Sequence, residues 1–489
     1  MVKVSLDAAK DYYAILSLSE IAAADEIKEA YRFLVRRHHP DTGHGDVAAF
    51  RLVQEAYEVL SNPALRRAYD HQRISRGLAP DAPITCEVTM SRENLPATQI
   101  KQMLYALIDV RPNAGLSKHH QPLNLGLVID CSTSMRGQRI RNVKIAVRDL
   151  VNSLQEGDQL ALIAFNDRAK VLAPSTPVRN KRLLNSAIAQ LVPGGGTEIY
   201  QGLVAGLNEV RRNASSRYLN HLILLTDGRT YGDEELSLAE ARKLEEEGIG
   251  LSALGIGVDW NDLFLDALAQ AGNGVSEYIR TPAQLQELLQ RRIRGLSSVL
   301  LRRAFLRVKH APYVTIQTAY RLEPYMEQLR VNSDSLIPLG DLEDKITTLL
   351  LEMTVDQPEV GTHRLARLEI EAASDEAPAN AAIQIRQDME VNFVVPERAL
   401  NVEIPMRIIS LLSRVSIFRL QEQAWRDLEH GDVSHATQLL KSAATRLFDL
   451  GYHELAQVAM LEVDRVLLAG SPSSEGRKKL RYGTRSLTI

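Results

Sequence analysis

The residues best equipped for chemistry carry oxygen and fall in three short segments. Asp130-Cys131-Ser132-Thr133-Ser134 closes one apolar run, Gly194-Gly195-Gly196-Thr197 follows further on, and Thr226-Asp227-Gly228 closes another apolar run. Hydroxyl and carboxylate oxygens in this combination suit a hard cation such as magnesium. The glycines let the loop before Thr197 bend sharply and approach its neighbours. A second constellation is His39-Pro40-Asp41. Proline pushes His39 out of helical angles and ends the helix before it, which leaves the tripeptide at an exposed tip.

The elements around these residues can be read from periodicity. In 24–38 (ADEIKEAYRFLVRRH), Ile27, Ala30, Tyr31 and Leu34 recur at helical spacing and form a buried stripe. Lys28, Arg32 and Arg36 make a basic stripe on another face, with Arg37 beside it, and Asp25 sits in the first turn, where the helix dipole favours an acid. A second helix carries Phe50, Val53, Tyr57 and Leu60 on one face and stops at Asn62-Pro63. Across 123–280, the apolar runs LNLGLVID, QLALIAF, HLILLTD and GLSALGIGV alternate with amphipathic stretches. Continuous apolar strands between helices predict a parallel sheet covered on both faces. Ligands bind such sheets outside the C-terminal strand ends, where all three oxygen segments can meet.

The remaining chain divides by pattern. Residues 73–83 form a polar linker containing RGLAPDAP. Ile84, Cys86, Val88 and Met90 share one strand face, and strand patterns return in 302–396. Residues 84–122 and 302–396 together are expected to form a β-sandwich interrupted by the α/β domain, with two separate small sheets as the alternative. A helix is expected to connect the parts at 281–301. Residues 400–469 show apolar spacing at Ile408, Leu411, Leu412 and Val415 and predict a helical hairpin of two or three helices. The basic tail of 470–489, with Arg477, Lys478, Lys479, Arg481 and Arg485, reads as a solvated stretch, with an interaction role as the alternative.

Two family resemblances rest on these residues. Residues 7–72, including DYYAIL, the helix pair around His39-Pro40-Asp41, and NPALRRAYD, resemble the J domain of DnaJ-like co-chaperones. That resemblance implies that His39, Pro40 and Asp41 trigger ATP hydrolysis on a DnaK-type chaperone. It also implies that Lys28, Arg32, Arg36 and Arg37 steer docking onto an acidic surface. No glycine/phenylalanine-rich stretch or cysteine-rich zinc module follows, so the chain resembles the specialised members, in which another domain selects the client.

Residues 123–280 resemble the von Willebrand factor A domain with its metal-ion-dependent adhesion site. This implies that Ser132, Ser134 and Thr197 coordinate through hydroxyls, and that Asp130 and Asp227 act directly or through waters. The implied cofactor is a divalent cation, magnesium first, with manganese or calcium as alternatives. The implied partner is a client or scaffold protein whose carboxylate completes the metal shell.

Bulk properties bound these readings. A chain of 489 residues suggests about three domains. Hydrophobic residues at 45% argue against wholesale disorder, and a net charge of -3 gives no general pull toward nucleic acid. Two cysteines cannot make a disulfide framework or a four-thiolate zinc site. No apolar run of about 18 residues predicts a membrane span, and the start lacks a secretory core of roughly 7–15 apolar residues. The cytoplasm is the expected compartment.

The expected fold is multidomain: an all-α J domain, an α/β Rossmann-like von Willebrand A domain, a flanking β-sandwich and a C-terminal helical hairpin. The expected function is a targeting co-chaperone rather than an enzyme, since the oxygen site offers no general base beyond its own ligands. An assembly adaptor for a MoxR-type AAA ATPase or another multiprotein complex is the alternative.

Overall fold

In a computed structural model of the chain, the described residues are those outside 1–9, 11, 17, 19–21, 23, 39–46, 67–68, 71–83, 99, 113–120, 216, 231, 273, 333–334, 357–358, 374–381, 400–403 and 488–489. The linker expected at 73–83 lies outside them.

The N-terminal module contains α1 (Tyr12–Ile15), α2 (Ala24–His38) and α3 (Val47–Leu60). Ile27 of α2 and Val53, Ala56, Val59 and Leu60 of α3 are buried together with Tyr12, Tyr13 and Tyr69. Tyr31 and Tyr57 stack across the helix pair with ring centroids 3.9 Å apart. The Tyr69 hydroxyl donates to the Lys10 carbonyl at 2.7 Å and accepts from the Tyr12 amide at 3.0 Å, tying the two ends of the module together.

The α/β domain is built on β4 (Leu123–Asp130), β5 (Gln159–Phe165), β6 (Ala169–Pro177), β7 (Leu219–Thr226), β8 (Ile249–Ile256) and β9 (Ser276–Ile279). Among the described residues they form one sheet in the order β6-β5-β4-β7-β8-β9, parallel except for β6. Every residue of β4 and β7 is buried, as a doubly covered sheet requires. Helices α4 (Gln138–Ser153), α5 (Lys181–Ala189), α6 (Ile199–Arg212), α7 (Glu234–Ala241), α8 (Leu244–Glu247), α9 (Asp262–Ala271) and α10 (Pro282–Ser297) surround it. Read from sequence as a connector, α10 instead places Leu285, Leu288, Leu289, Ile293 and Leu296 in the same core as β4 and α4.

Two further sheets face each other in a sandwich. One runs β1-β3-β14-β11-β12 and the other β13-β10-β15-β16-β2. The strands are β1 (Ile84–Met90), β2 (Asn94–Pro96), β3 (Gln102–Pro112), β10 (Val299–His310), β11 (Val314–Glu323), β12 (Glu327–Leu329), β13 (Leu336–Glu343), β14 (Thr347–Val355), β15 (Gly361–Ala373) and β16 (Ala382–Val394). Strand β3 pairs antiparallel with β14 from Gln102↔Val355 to Val110↔Thr347, and β2 pairs parallel with β16. Strands before and after the α/β domain therefore share both sheets, and residues of both blocks fill one apolar core.

The C-terminal part departs from the sequence reading in its last stretch. Among the described residues, 400–469 hold three helices, α11 (Met406–Glu429), α12 (Val433–Asp449) and α13 (His453–Ala469), within the two or three expected, and a further helix, α14 (Ser474–Arg485), follows them. The stretch read as a solvated basic tail is α14, and Lys478 and Arg481 are buried. The reason is a set of acidic partners distant in sequence. Arg481 meets Asp262, Asp266 and Glu422 at 3.1–3.2 Å, Arg477 meets Asp262 at 3.1 Å, and Arg485 meets Asp266 at 2.9 Å. Removing one partner from a buried pair of this kind costs about 3–5 kcal/mol.

Candidate metal centre and chaperone-docking face

The oxygen segments converge because β5 and β7 flank β4, which leaves a crevice at their C-terminal ends. Asp130 ends β4 and is wholly buried. Its Oδ1 accepts from the Ser132 amide and its Oδ2 from the Thr226 hydroxyl, both at 2.7 Å. Burial pushes the Asp130 carboxyl above the ordinary aspartate range, against the pull of these hydrogen bonds. The hydroxyls of Ser132 and Ser134 lie 2.8 Å apart, and Ser134 donates to Asp227 Oδ1 at 2.6 Å.

Thr197 comes from a loop stapled to the same place. The Gly194 amide donates to the Cys131 carbonyl at 2.7 Å, and the Thr133 amide and hydroxyl donate to the Gly195 carbonyl at 3.0 and 2.9 Å. Gly195 has φ +81°, and a Cβ there would fall 2.3 Å from Asp167 Oδ2. A Cβ on Gly228 would sit 3.0 Å from Thr197 Oγ1, so the glycine after Asp227 is what lets that hydroxyl approach the Asp227 loop. Thr230 and Asp233 fix the loop from behind: Thr230 accepts from the Ile199 amide at 3.2 Å and Asp233 from the Tyr200 amide at 2.8 Å. Cys131, inside the motif, is buried.

Ser132, Ser134, Thr197, Asp130 and Asp227 thus stand on three loops around one crevice. The donor set fits a hard divalent cation, being all oxygen with two carboxylates. Among the described residues no group of three or more His, Cys, Asp or Glu side chains is placed to hold a metal, so hydroxyls must complete any shell here. When bound, such a cation supplies a Lewis-acidic position that a carboxylate oxygen can fill. The three hydroxyls and the two carboxylates would hold it, with Thr226, Thr230 and Asp233 keeping the loops in register.

Sequence reasoning missed one side chain at this centre. Arg139, in the first turn of α4, donates to Asp227 Oδ2 at 2.5 Å and to the Ser134 carbonyl at 3.3 Å. The available signal was a cation at the positive end of a helix dipole, where an acid is the usual choice.

The second constellation is described only in part. His39, Pro40 and Asp41 lie outside the described residues, as does the side chain of Arg37. Lys28, Arg32 and Arg36 are exposed on α2. Asp25, on the same face, pairs with Arg364 at 3.1 Å and Arg367 at 2.9 Å on the sandwich. Hydrogen bonds from these arginines hold its carboxyl below the ordinary range.

Comparison with known proteins supplies the families. Residues 11–70 match the DnaJ domain family, and residues 124–291 match the von Willebrand factor type A domain family. The chain is a fusion of a DnaJ domain and a von Willebrand factor type A domain. Behind both, residues 406–489 match the Sll0103-like, C-terminal alpha-helical domain, which includes the helix α14 that pattern reading left as a tail.

The protein sll0103 of Synechocystis is 29% identical over 407 residues, covering 81% of this chain and 96% of its own length. The DnaJ domain is 56% identical over 63 residues to the chaperone protein DnaJ of Chlamydia pneumoniae, a match covering 12% of this chain and 16% of that protein. A solved von Willebrand factor type A protein from Catenulispora acidiphila has the same fold, with a TM-score of 0.69 at 18% identity, over 83% of this chain and 97% of that one. Among the described residues, no helix is long and apolar enough to cross a membrane.

Proposed function

We propose that this chain is a targeting co-chaperone. Its DnaJ domain recruits and stimulates a DnaK-type ATPase, and the oxygen centre of its von Willebrand domain grips a client or scaffold protein through a divalent cation, magnesium first. A DnaJ domain suggests the co-chaperone role, and a von Willebrand domain suggests protein interaction. The observation that carries the finer reading is the hydroxyl-carboxylate chain Ser132, Ser134, Asp227, with contacts of 2.8 and 2.6 Å at the mouth of the crevice. It offers few protein charges, which leaves room for a carboxylate brought by a partner.

In this reading His39, Pro40 and Asp41 trigger hydrolysis, and Lys28, Arg32, Arg36 and Arg37 guide the approach of an acidic surface. The two activities sit on separate modules, so each can be lost alone. The test is affinity capture of partners by the full chain and by Thr197→Ala, with magnesium or with EDTA, alongside stimulation of DnaK ATPase by the same preparations. Loss of partners in EDTA and in Thr197→Ala, with stimulation intact, supports the proposal. Retention of every partner in EDTA removes the cation from it.

A further inference from the structure

Arg139 stands between two carboxylates that differ in kind. One nitrogen of its guanidinium lies 2.5 Å from Asp227 Oδ2, and the other lies 3.7 Å from Asp259 Oδ2. The Asp227 side chain is fully buried, whereas that of Asp259 is 67% exposed. No acidic residue shares the first turn of α4, so the arginine sits against the helix dipole and these two acids offset it.

Both Asp227 oxygens are engaged, Oδ1 accepting from Ser134 and Oδ2 from Arg139. A divalent cation using Asp227 places a second positive charge beside the guanidinium, and two like charges a few ångströms apart repel strongly where water is scarce.

The loop that carries Asp259 is built to receive the displaced arginine. Gly257 has φ +73°, and the space its missing Cβ leaves is filled by Arg139 Nη2 at 3.3 Å. The Trp260 indole donates to the Gly257 carbonyl at 2.7 Å, and Arg229 Nε donates to the Asp259 carbonyl at 3.1 Å. From the far side Lys478 of α14 donates to the carbonyls of Val258 at 2.5 Å and Trp260 at 2.7 Å. Residues 257–260 are therefore fixed on both sides, and the arginine side chain is the part able to move.

We propose that Arg139 is a built-in counter-cation of the metal centre, competing with a divalent ion for Asp227 and passing to Asp259 when displaced. This rests on the reading of the oxygen cluster as a cation site. The centre then binds its ion more weakly than its ligands alone would allow.

The experiment is manganese binding to the full-length chain, followed by calorimetry and by the paramagnetic resonance of the free ion. Arg139→Gln is expected to tighten binding about tenfold, since one full positive charge leaves the site. Arg139→Lys, which keeps the charge, is expected to stay within about threefold of the unmodified chain. Asp259→Asn is expected to weaken binding about threefold in the unmodified chain, and to have less than about half that effect when combined with Arg139→Gln. Manganese binding by the unmodified chain, unchanged in Arg139→Gln, overturns the counter-cation. No binding by either, in preparations that melt normally, overturns the cation site itself and the inference with it.

Discussion

Lys478 places its ammonium 2.7 Å from the main-chain oxygen of Trp260 and 4.6 Å from the centroid of the Trp260 ring. One side chain of the C-terminal helix thereby satisfies a turn of the von Willebrand domain and covers its tryptophan. Lys478→Met keeps most of the volume but leaves the Trp260 carbonyl without this donor, while the Val258 carbonyl keeps the Ser474 hydroxyl. An orphaned buried acceptor costs about 1–3 kcal/mol. Urea unfolding is expected to show a loss of at least about 2 kcal/mol, and α14 should become the first site of proteolysis. A change under about 0.5 kcal/mol would mean that the contact contributes nothing.

The same lysine should leave a pH signature. Burial pushes its ammonium from 10.5, the ordinary lysine value, down to about 8. Below pH 8 folded and unfolded chains both hold the proton. Between about 8 and 10.5 the unfolded chain still holds it while the folded chain has released it. Stability from this group therefore rises with pH across that window. The difference in unfolding free energy between the unmodified chain and Lys478→Met is expected to grow from pH 8 to pH 10. A flat or falling difference would contradict the buried setting.

Interleaving of the sandwich strands makes a third expectation. A fragment of residues 299–396 keeps β14 without β3 and β16 without β2. Exposed strand edges of that kind template aggregation. The fragment is expected to be insoluble or to melt well below the full chain. A monomeric fragment with a cooperative melt near that of the full chain would show that the N-terminal strands are dispensable.

What the sequence could disclose follows from the range of its signals. The runs LNLGLVID and HLILLTD are buried at every position because both faces of their sheet are covered, and such runs are visible locally. The stripe of Ile27 on α2 is equally local. The oxygen segments were legible because strand ends of a parallel sheet share one edge. Helix α14 was not. Its basic residues look solvated until Asp262 and Asp266 are brought beside them, and Arg481 and Asp262 are 219 positions apart. Arg139 escaped for the same reason: only the fold sets it between Asp227 and Asp259.

Metal removal separates structural from functional roles. An ion present at ten to a hundred times its Kd adds about 1.4–2.7 kcal/mol to stability. Adding EDTA is thus expected to lower the Tm by a few degrees while far-UV dichroism stays unchanged, because strand burial rather than the ion holds the sheet. Collapse of the fold in EDTA would make the ion structural. A melt identical with magnesium, manganese, calcium and EDTA would argue that no ion binds.

The most direct test of the co-chaperone role is the steady-state ATPase of a DnaK-type chaperone, measured with the full-length chain, with His39→Gln and with Arg32→Glu/Arg36→Glu. The unmodified chain is expected to raise the rate several-fold, with a stimulation that weakens as salt rises, since exposed charges are screened over about 10 Å at 0.1 M. His39→Gln is expected to abolish stimulation without changing the melt, and the charge-reversal variant to require a higher concentration for the same rate. No stimulation by the unmodified chain, or equal stimulation by all three, would contradict a DnaJ domain acting on DnaK.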